Sequence, residues 1–133
     1  MAHPLKPTTD KAEAIIDRLR VICLGLPGAL EKLAWGEPTF RAGKGKMFAQ
    51  VDNNHHESGH VAVWMPLGFE AQDELVAADA DRYFIPPYQG VRGWVGMRLD
   101  DDDVDWDDVA EVLEDAFRLV AGKRLLAELE PRG

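Results

Sequence analysis

The sequence predicts an α+β fold in which an antiparallel sheet has the N- and C-terminal helices packed on one face. Apolar residues recur at helical spacing near each end of the chain, whereas the stretch from about 38 to 99 changes towards a period of two. Helix, then several strands with a short helix among them, then helix is the order typical of such a domain. With 133 residues, the chain is expected to form a single domain over 1–133.

The N-terminal part of the chain is predicted to be helical after a loose arm at 1–9. Asp10, with a glutamate three positions later, resembles a capping box, and apolar residues at helical spacing continue to about residue 24. Pro27-Gly28 ends this helix. The following segment, 29–34, is predicted to add one more helical turn.

The C-terminal helix is predicted to begin after the acidic run at 100–103. Asp105 can cap it, and its acidic first turn suits the helix dipole. One face then carries Val109, Val112, Leu113, Ala116, Phe117 and Val120. A further helical piece is expected after Gly122, where leucines continue.

The middle of the chain is predicted to form the sheet. Strands are expected at 39–42, 46–51, 60–65, 83–85 and 94–99, with a short helix at 69–78. A glycine-bearing loop at 43–45 suits a hairpin between the first two strands. Because side chains alternate along a strand, one face is predicted to carry the core residues Phe40, Met47, Ala49, Val51, Val61, Val63, Met65, Val95, Met97 and Leu99.

Several motifs together resemble the MmcQ/YjbR-like family, small bacterial proteins described as DNA-binding and placed with the CyaY-like folds. The resemblance covers nearly the whole chain and is carried by Leu26-Pro27-Gly28, Trp35-Gly36-x-Pro38-x-Phe40-Arg41, Gly45-Lys46-Met47-Phe48-Ala49, Pro87-Tyr88, the strand at Trp94 and the final helix ending near Ala121-Gly122-Lys123. It implies an antiparallel sheet with helices on one side, hairpin wings and no established enzymatic activity.

The face of the sheet opposite the core is the candidate functional surface. Its predicted binding residues, with the hairpin, are Arg41, Lys44, Lys46, Phe48, Trp64, Trp94 and Arg98. Aromatic rings can stack bases while cations neutralise phosphates, so weak, sequence-tolerant nucleic-acid binding is the first hypothesis. The alternative is a protein-interaction or dimerisation module, a homodimer included, or a small-ligand binder that uses the same aromatic face.

Composition limits these hypotheses. The formal net charge is −9, so nucleic acid is repelled unless the basic groups are concentrated on one surface. Cys23 is the single cysteine and lies among apolar helix positions, which predicts a buried, inert thiol and a reducing compartment. No apolar run approaches the roughly 20 residues that span a bilayer, and no signal peptide is recognisable, so a cytoplasmic protein without a membrane partner is expected.

No constellation of residues predicts catalysis, a cofactor or a metal. A third hypothesis is a metal hydrolase at His56 and His60, because segment 56–60 matches H-E-x-x-H. That zinc motif works on a helix, however, and the surrounding asparagines and glycine favour a loop. The acidic run from Asp100 lacks the glycine that an EF-hand loop needs at its sixth position, where Asp105 stands. A non-enzymatic binding module is therefore expected.

Overall fold

The computed structural model describes residues 9–54 and 59–129, which form a six-stranded antiparallel sheet with helices. Residues 1–8 of the predicted arm at 1–9 and residues 55–58 of the predicted histidine-rich loop therefore lie outside the described residues. The helices are α1 (Asp10–Leu24), α2 (Phe69–Ala78), α3 (Trp106–Val120) and α4 (Lys123–Glu128). The strands are β1 (Ala29–Ala34), β2 (Glu37–Ala42), β3 (Met47–Asn53), β4 (Val61–Met65), β5 (Tyr83–Phe84) and β6 (Val95–Arg98), and a 3-10 turn spans Gly90–Arg92.

The sheet confirms the predicted α+β class. Its strand order is β1-β2-β3-β4-β6-β5, and every neighbouring pair is antiparallel. Helices α1 and α3 pack on one face, where their apolar stripes meet the inward residues of the strands. Asp105 caps α3 as predicted, because its carboxylate accepts hydrogen bonds from the backbone N–H groups of Asp107 and Asp108. The cap of α1 is Thr9, one residue before the predicted Asp10, and its hydroxyl accepts from Ala12 N at 3.1 Å.

The prediction of a helical turn at 29–34 is wrong, because this segment is the edge strand β1. It pairs with β2 over its full length, from Ala29 opposite Ala42 to Ala34 opposite Glu37. The connecting residues Trp35 and Gly36 both have positive φ, 53° and 75°. Two consecutive residues in that region form the tight turn whose twist suits a two-residue hairpin. The Trp-Gly pair was therefore a hairpin signal.

A change of register between β2 and β3 reverses the predicted side-chain directions at the start of β3. Phe40 lies opposite Ala49, but the next residue, Arg41, lies opposite Met47, so Phe48 has no partner across the ladder. Such an extra residue is a β-bulge, and it changes which residues face the core. Phe48 is completely buried and meets Phe117 edge to face, with ring centroids 5.3 Å apart. Met47, predicted to be in the core, shares the opposite face with Arg41.

Cys23 is buried in the core at the last turn of α1, as predicted. Burial raises the pKa of its thiol, and the negative charge of Glu31 raises it further. Because the thiolate is the reactive form, we expect the native Cys23 thiol to resist modification by thiol reagents at pH 8. The check is the rate of reaction with a chromogenic disulfide reagent, which should rise to that of a free thiol in denaturant. Rapid native labelling would contradict this environment.

Candidate nucleic-acid interface

The outer face of the sheet is a buried polar and aromatic layer, not the open surface that the sequence predicted. Trp64 is only 2% exposed, and its Nε1 donates to Asp52 Oδ2 at 3.2 Å. The same carboxylate oxygen lies 2.8 Å from His60 Nε2. Asp52 itself is 1% exposed, so the indole has a specific internal partner. The Trp64 ring is therefore not available for stacking bases in this structure.

Phe84, on the edge strand β5, lies on the outer face across Gly96 from Trp64. Its ring lies directly over Gly96, where a Cβ would come within 2.3 Å of the ring, so this position accepts only glycine without displacing Phe84. His60 packs on the ring at 4.7 Å, and the Arg98 guanidinium lies 4.6 Å from its centroid. Arg98 Nη1 also donates to the carbonyls of Ala80 and Asp81. Arg98 thus holds the segment before β5 in place, and its charge is used internally.

Trp94 is covered by the structure around it. It is 9% exposed, and its carbonyl accepts a hydrogen bond from Gln72 Nε2 at 2.8 Å. The same amide donates to the carbonyl of Gly90 at 2.9 Å, so α2 and the turn before β6 are tied together there. Of the three predicted stacking rings, Phe48 lies in the core and both tryptophans are buried. The predicted outer-face placement of Phe48 is wrong because of the bulge.

The hairpin between β2 and β3 retains the predicted cations at the surface. Lys44 and Lys46 are exposed, and Arg41 is half-buried on the outer face. In the described part of the chain none of the three has an ion-pair partner, and Arg41 Nε is buried without a hydrogen-bond acceptor. The sequence from 38 to 51 contains no acidic residue. The hairpin therefore presents positive charges that no ion pair within the described residues neutralises.

Helix α4 brings two more cations to the same end of the molecule. Leu125 packs against the loops at Gly28 and Gly43, where an added Cβ would come within 2.7 and 3.3 Å of its methyl groups. Gly43 N also donates to Gly28 O at 3.0 Å, which joins these two loops. Lys123 and Arg124 immediately precede Leu125 and are exposed. Sequence reasoning missed them as site residues because they lie about 80 positions from the hairpin.

We call these five residues the basic end: Arg41, Lys44, Lys46, Lys123 and Arg124. The acidic run at 100–103 lies at the opposite end of the sheet, because it follows β6 where Leu99 N bonds to Val61 O at the start of β4. The hairpin instead adjoins the end of β4, since β3 runs antiparallel to it. The acidic run and the hairpin cations thus lie at opposite ends of the strands. A local positive surface persists at physiological ionic strength, where screening acts over about 8 Å.

Of the segment 56–60 that matches H-E-x-x-H, the structure describes only the last two residues, Gly59 and His60. Gly59 has a positive φ of 79°, and His60 directly precedes β4. His60 is therefore not on a helix, which the zinc-protease motif requires. Within residues 9–54 and 59–129, no group of three metal-ligating side chains is placed to hold an ion.

Comparison with protein-family models gives a match to the YjbR family over residues 24–119. The chain belongs to the YjbR family. The matched region extends from the end of α1 to the last turn of α3, so it contains the whole sheet and the hairpin cations, while Lys123 and Arg124 follow it. A search of curated proteins finds no match.

The fold of this YjbR protein has a solved counterpart. The crystal structure of the Deinococcus radiodurans protein DR2400, a DUF419 domain, is similar with a TM-score of 0.65. The two share 23% sequence identity, and the match covers 78% of this chain and 76% of the other. This similarity supports the α+β architecture alone. Of the helices in the described part of this YjbR protein, none combines the length and the hydrophobicity that crossing a bilayer requires.

Proposed function

We propose that this YjbR protein binds the phosphate backbone of nucleic acid through its basic end. The observation that supports the proposal is the packing of Leu125 on Gly28 and Gly43, which brings the cations at the start of α4 to the acid-free hairpin in a protein of net charge −9. Phosphate contacts by lysine and arginine supply most of the sequence-independent binding of nucleic acid. Because the stacking rings are buried, this mode does not select unstacked bases, and a duplex is the better ligand.

The proposal predicts steep salt dependence of binding to a fluorescent DNA duplex. If four of the five cations contact phosphates, raising NaCl from about 50 to about 200 mM should weaken binding on the order of 100-fold. The double substitution Lys46→Ala with Arg124→Ala removes two of these contacts and should lower the slope of log K against log salt by about 2.

The matched control is Lys11→Ala with Arg18→Ala, which changes the net charge by the same amount near the acidic run at 100–103 and the start of α3. Lys11 Nζ donates to Asp100 O at 2.8 Å, and Arg18 lies over the ring of Trp106 near the start of α3. This variant should retain the slope of the unmodified protein. Absence of binding to both duplex and single strand at low salt would overturn the proposal, and equal losses in the two double variants would remove the basic end as the site.

The alternative function, association of two copies, is favoured by a different surface from the one predicted. The rings of the outer face are buried and cannot form such an interface. Exposed apolar side chains lie along α1, the edge strand β1 and the turn that follows β1, at Val21, Leu24, Leu30, Leu33 and Trp35. An unpaired strand edge with apolar side chains can pair with a second copy of itself. Sedimentation velocity tests this: a dimer should dissociate in a Leu33→Glu variant, and a concentration-independent monomer would exclude it.

A further inference from the structure

A groove between α2 and α3 lies on a part of the surface that the basic end does not use. Its apolar lining consists of Leu67, Ala71 and Leu75 on one side and Val112 and Leu119 on the other. It encloses about 450 Å³ and is open to solvent. Leu119 is 62% exposed although it sits on a helix whose other apolar residues are buried or partly buried. The groove therefore exposes apolar surface that a partner can cover.

The groove is long enough to seat about two turns of a docked helix. Val112 and Leu119 are seven residues apart on α3, two helical turns, which places them about 10 Å apart along the groove. Ala71 and Leu75 are one turn apart on α2. A docked amphipathic helix places its anchoring residues at i, i+3, i+4 and i+7, which repeats the same spacing.

The charge around the groove selects the partner. Helix α2 carries three acidic residues and no basic one, and α3 carries five acidic residues with Arg118 as its only cation. Arg118 Nε already donates to Glu114 Oε2 at 3.2 Å. Glu74, Asp115 and Arg118 are the charged residues that line the groove itself. With Arg118 paired to Glu114, the excess of carboxylates on the two helices favours a cationic partner over an anionic one.

We propose that the α2–α3 groove binds a cationic amphipathic helix of another protein, with leucine-like side chains on Leu75, Val112 and Leu119 and lysine or arginine side chains on the acidic rim. Apolar burial supplies affinity in this mode, and the rim charges set the orientation and the choice of partner. The basic end and this groove are then two separate surfaces with opposite charge preference.

The test uses the full chain and a labelled amphipathic peptide of leucine and lysine, about 15 residues long, followed by fluorescence anisotropy at about 0.15 M salt. The unmodified protein should bind it, and Leu119→Ser and Glu74→Lys should each weaken binding about fivefold or more. The matched controls are Val91→Ser, at an apolar residue that is 81% exposed, and Asp102→Lys in the acidic loop. Both should leave the affinity unchanged.

Three results would overturn the proposal: absence of binding, equal weakening by the control substitutions, or equally tight binding of a peptide with glutamate in place of lysine. The Lys46→Ala/Arg124→Ala variant should bind the peptide normally. Peptide binding and DNA binding can therefore fail independently of each other.

Discussion

Replacing Phe48 by alanine should destabilise the protein by about 3 to 5 kcal/mol, the range for removing a fully buried phenylalanine. Phe48 is completely buried against Phe117, so the substitution leaves a cavity between β3 and α3. The measurement is the free energy of unfolding in urea, taken from the midpoint at constant slope.

Met47 supplies the matched control for this prediction. Strict alternation along β3 would place Met47 in the core and Phe48 outside, whereas the bulge reverses them. Met47→Ala should therefore cost clearly less than Phe48→Ala, because the methionine is only partly buried. If Met47→Ala were the more damaging change, the register between β2 and β3 would have to be the regular one.

Replacing Asp52 by alanine should cost about 3 kcal/mol or more, because it removes a buried carboxylate together with the hydrogen bonds that it accepts. Its carboxylate serves both Trp64 Nε1 and His60, and it is 1% exposed. The loss should appear in urea unfolding and as a change in tryptophan emission, since the Trp64 environment becomes wetter.

Two substitutions keep the Asp52 prediction specific. Asp52→Asn retains an oxygen that can accept from the indole, so it should be milder than the alanine change. Asp102→Ala removes an exposed carboxylate from the acidic loop and should stay within about 0.5 kcal/mol of the unmodified protein. Unchanged stability of Asp52→Ala would show that this network does not hold the outer face together.

Long apolar patterns predicted the architecture well. Helices α1 and α3 carry apolar residues at helical spacing, and glycines and prolines separate the strands, so the element types and most of their order follow from local sequence. The prediction for segment 29–34 was wrong because the pattern of apolar residues there is weak. Its strand conformation depends on pairing with β2 across the Trp35-Gly36 turn. Backbone pairing of this kind overrides a weak local preference.

The candidate site was less predictable than the fold. Lys44 and Lys46 are found on the surface, as a polar hairpin indicates, but Phe48 is buried against Phe117, and Trp64 and Trp94 are 2% and 9% exposed. A period of two shows which side chains share a face but does not show whether that face is covered. A single bulge residue was enough to move Phe48 from one face to the other.

The sequence by itself determined the family, the fold class and the presence of an acid-free basic hairpin in an acidic chain, because these depend on local composition and spacing. Only the tertiary structure decided that the outer face is closed and that Lys123 and Arg124 join the hairpin. Those features arise from contacts between distant segments, such as Leu125 on Gly28 and Gly43. Packing between such segments leaves no periodic signal in one sequence, since it depends on shape and not on spacing.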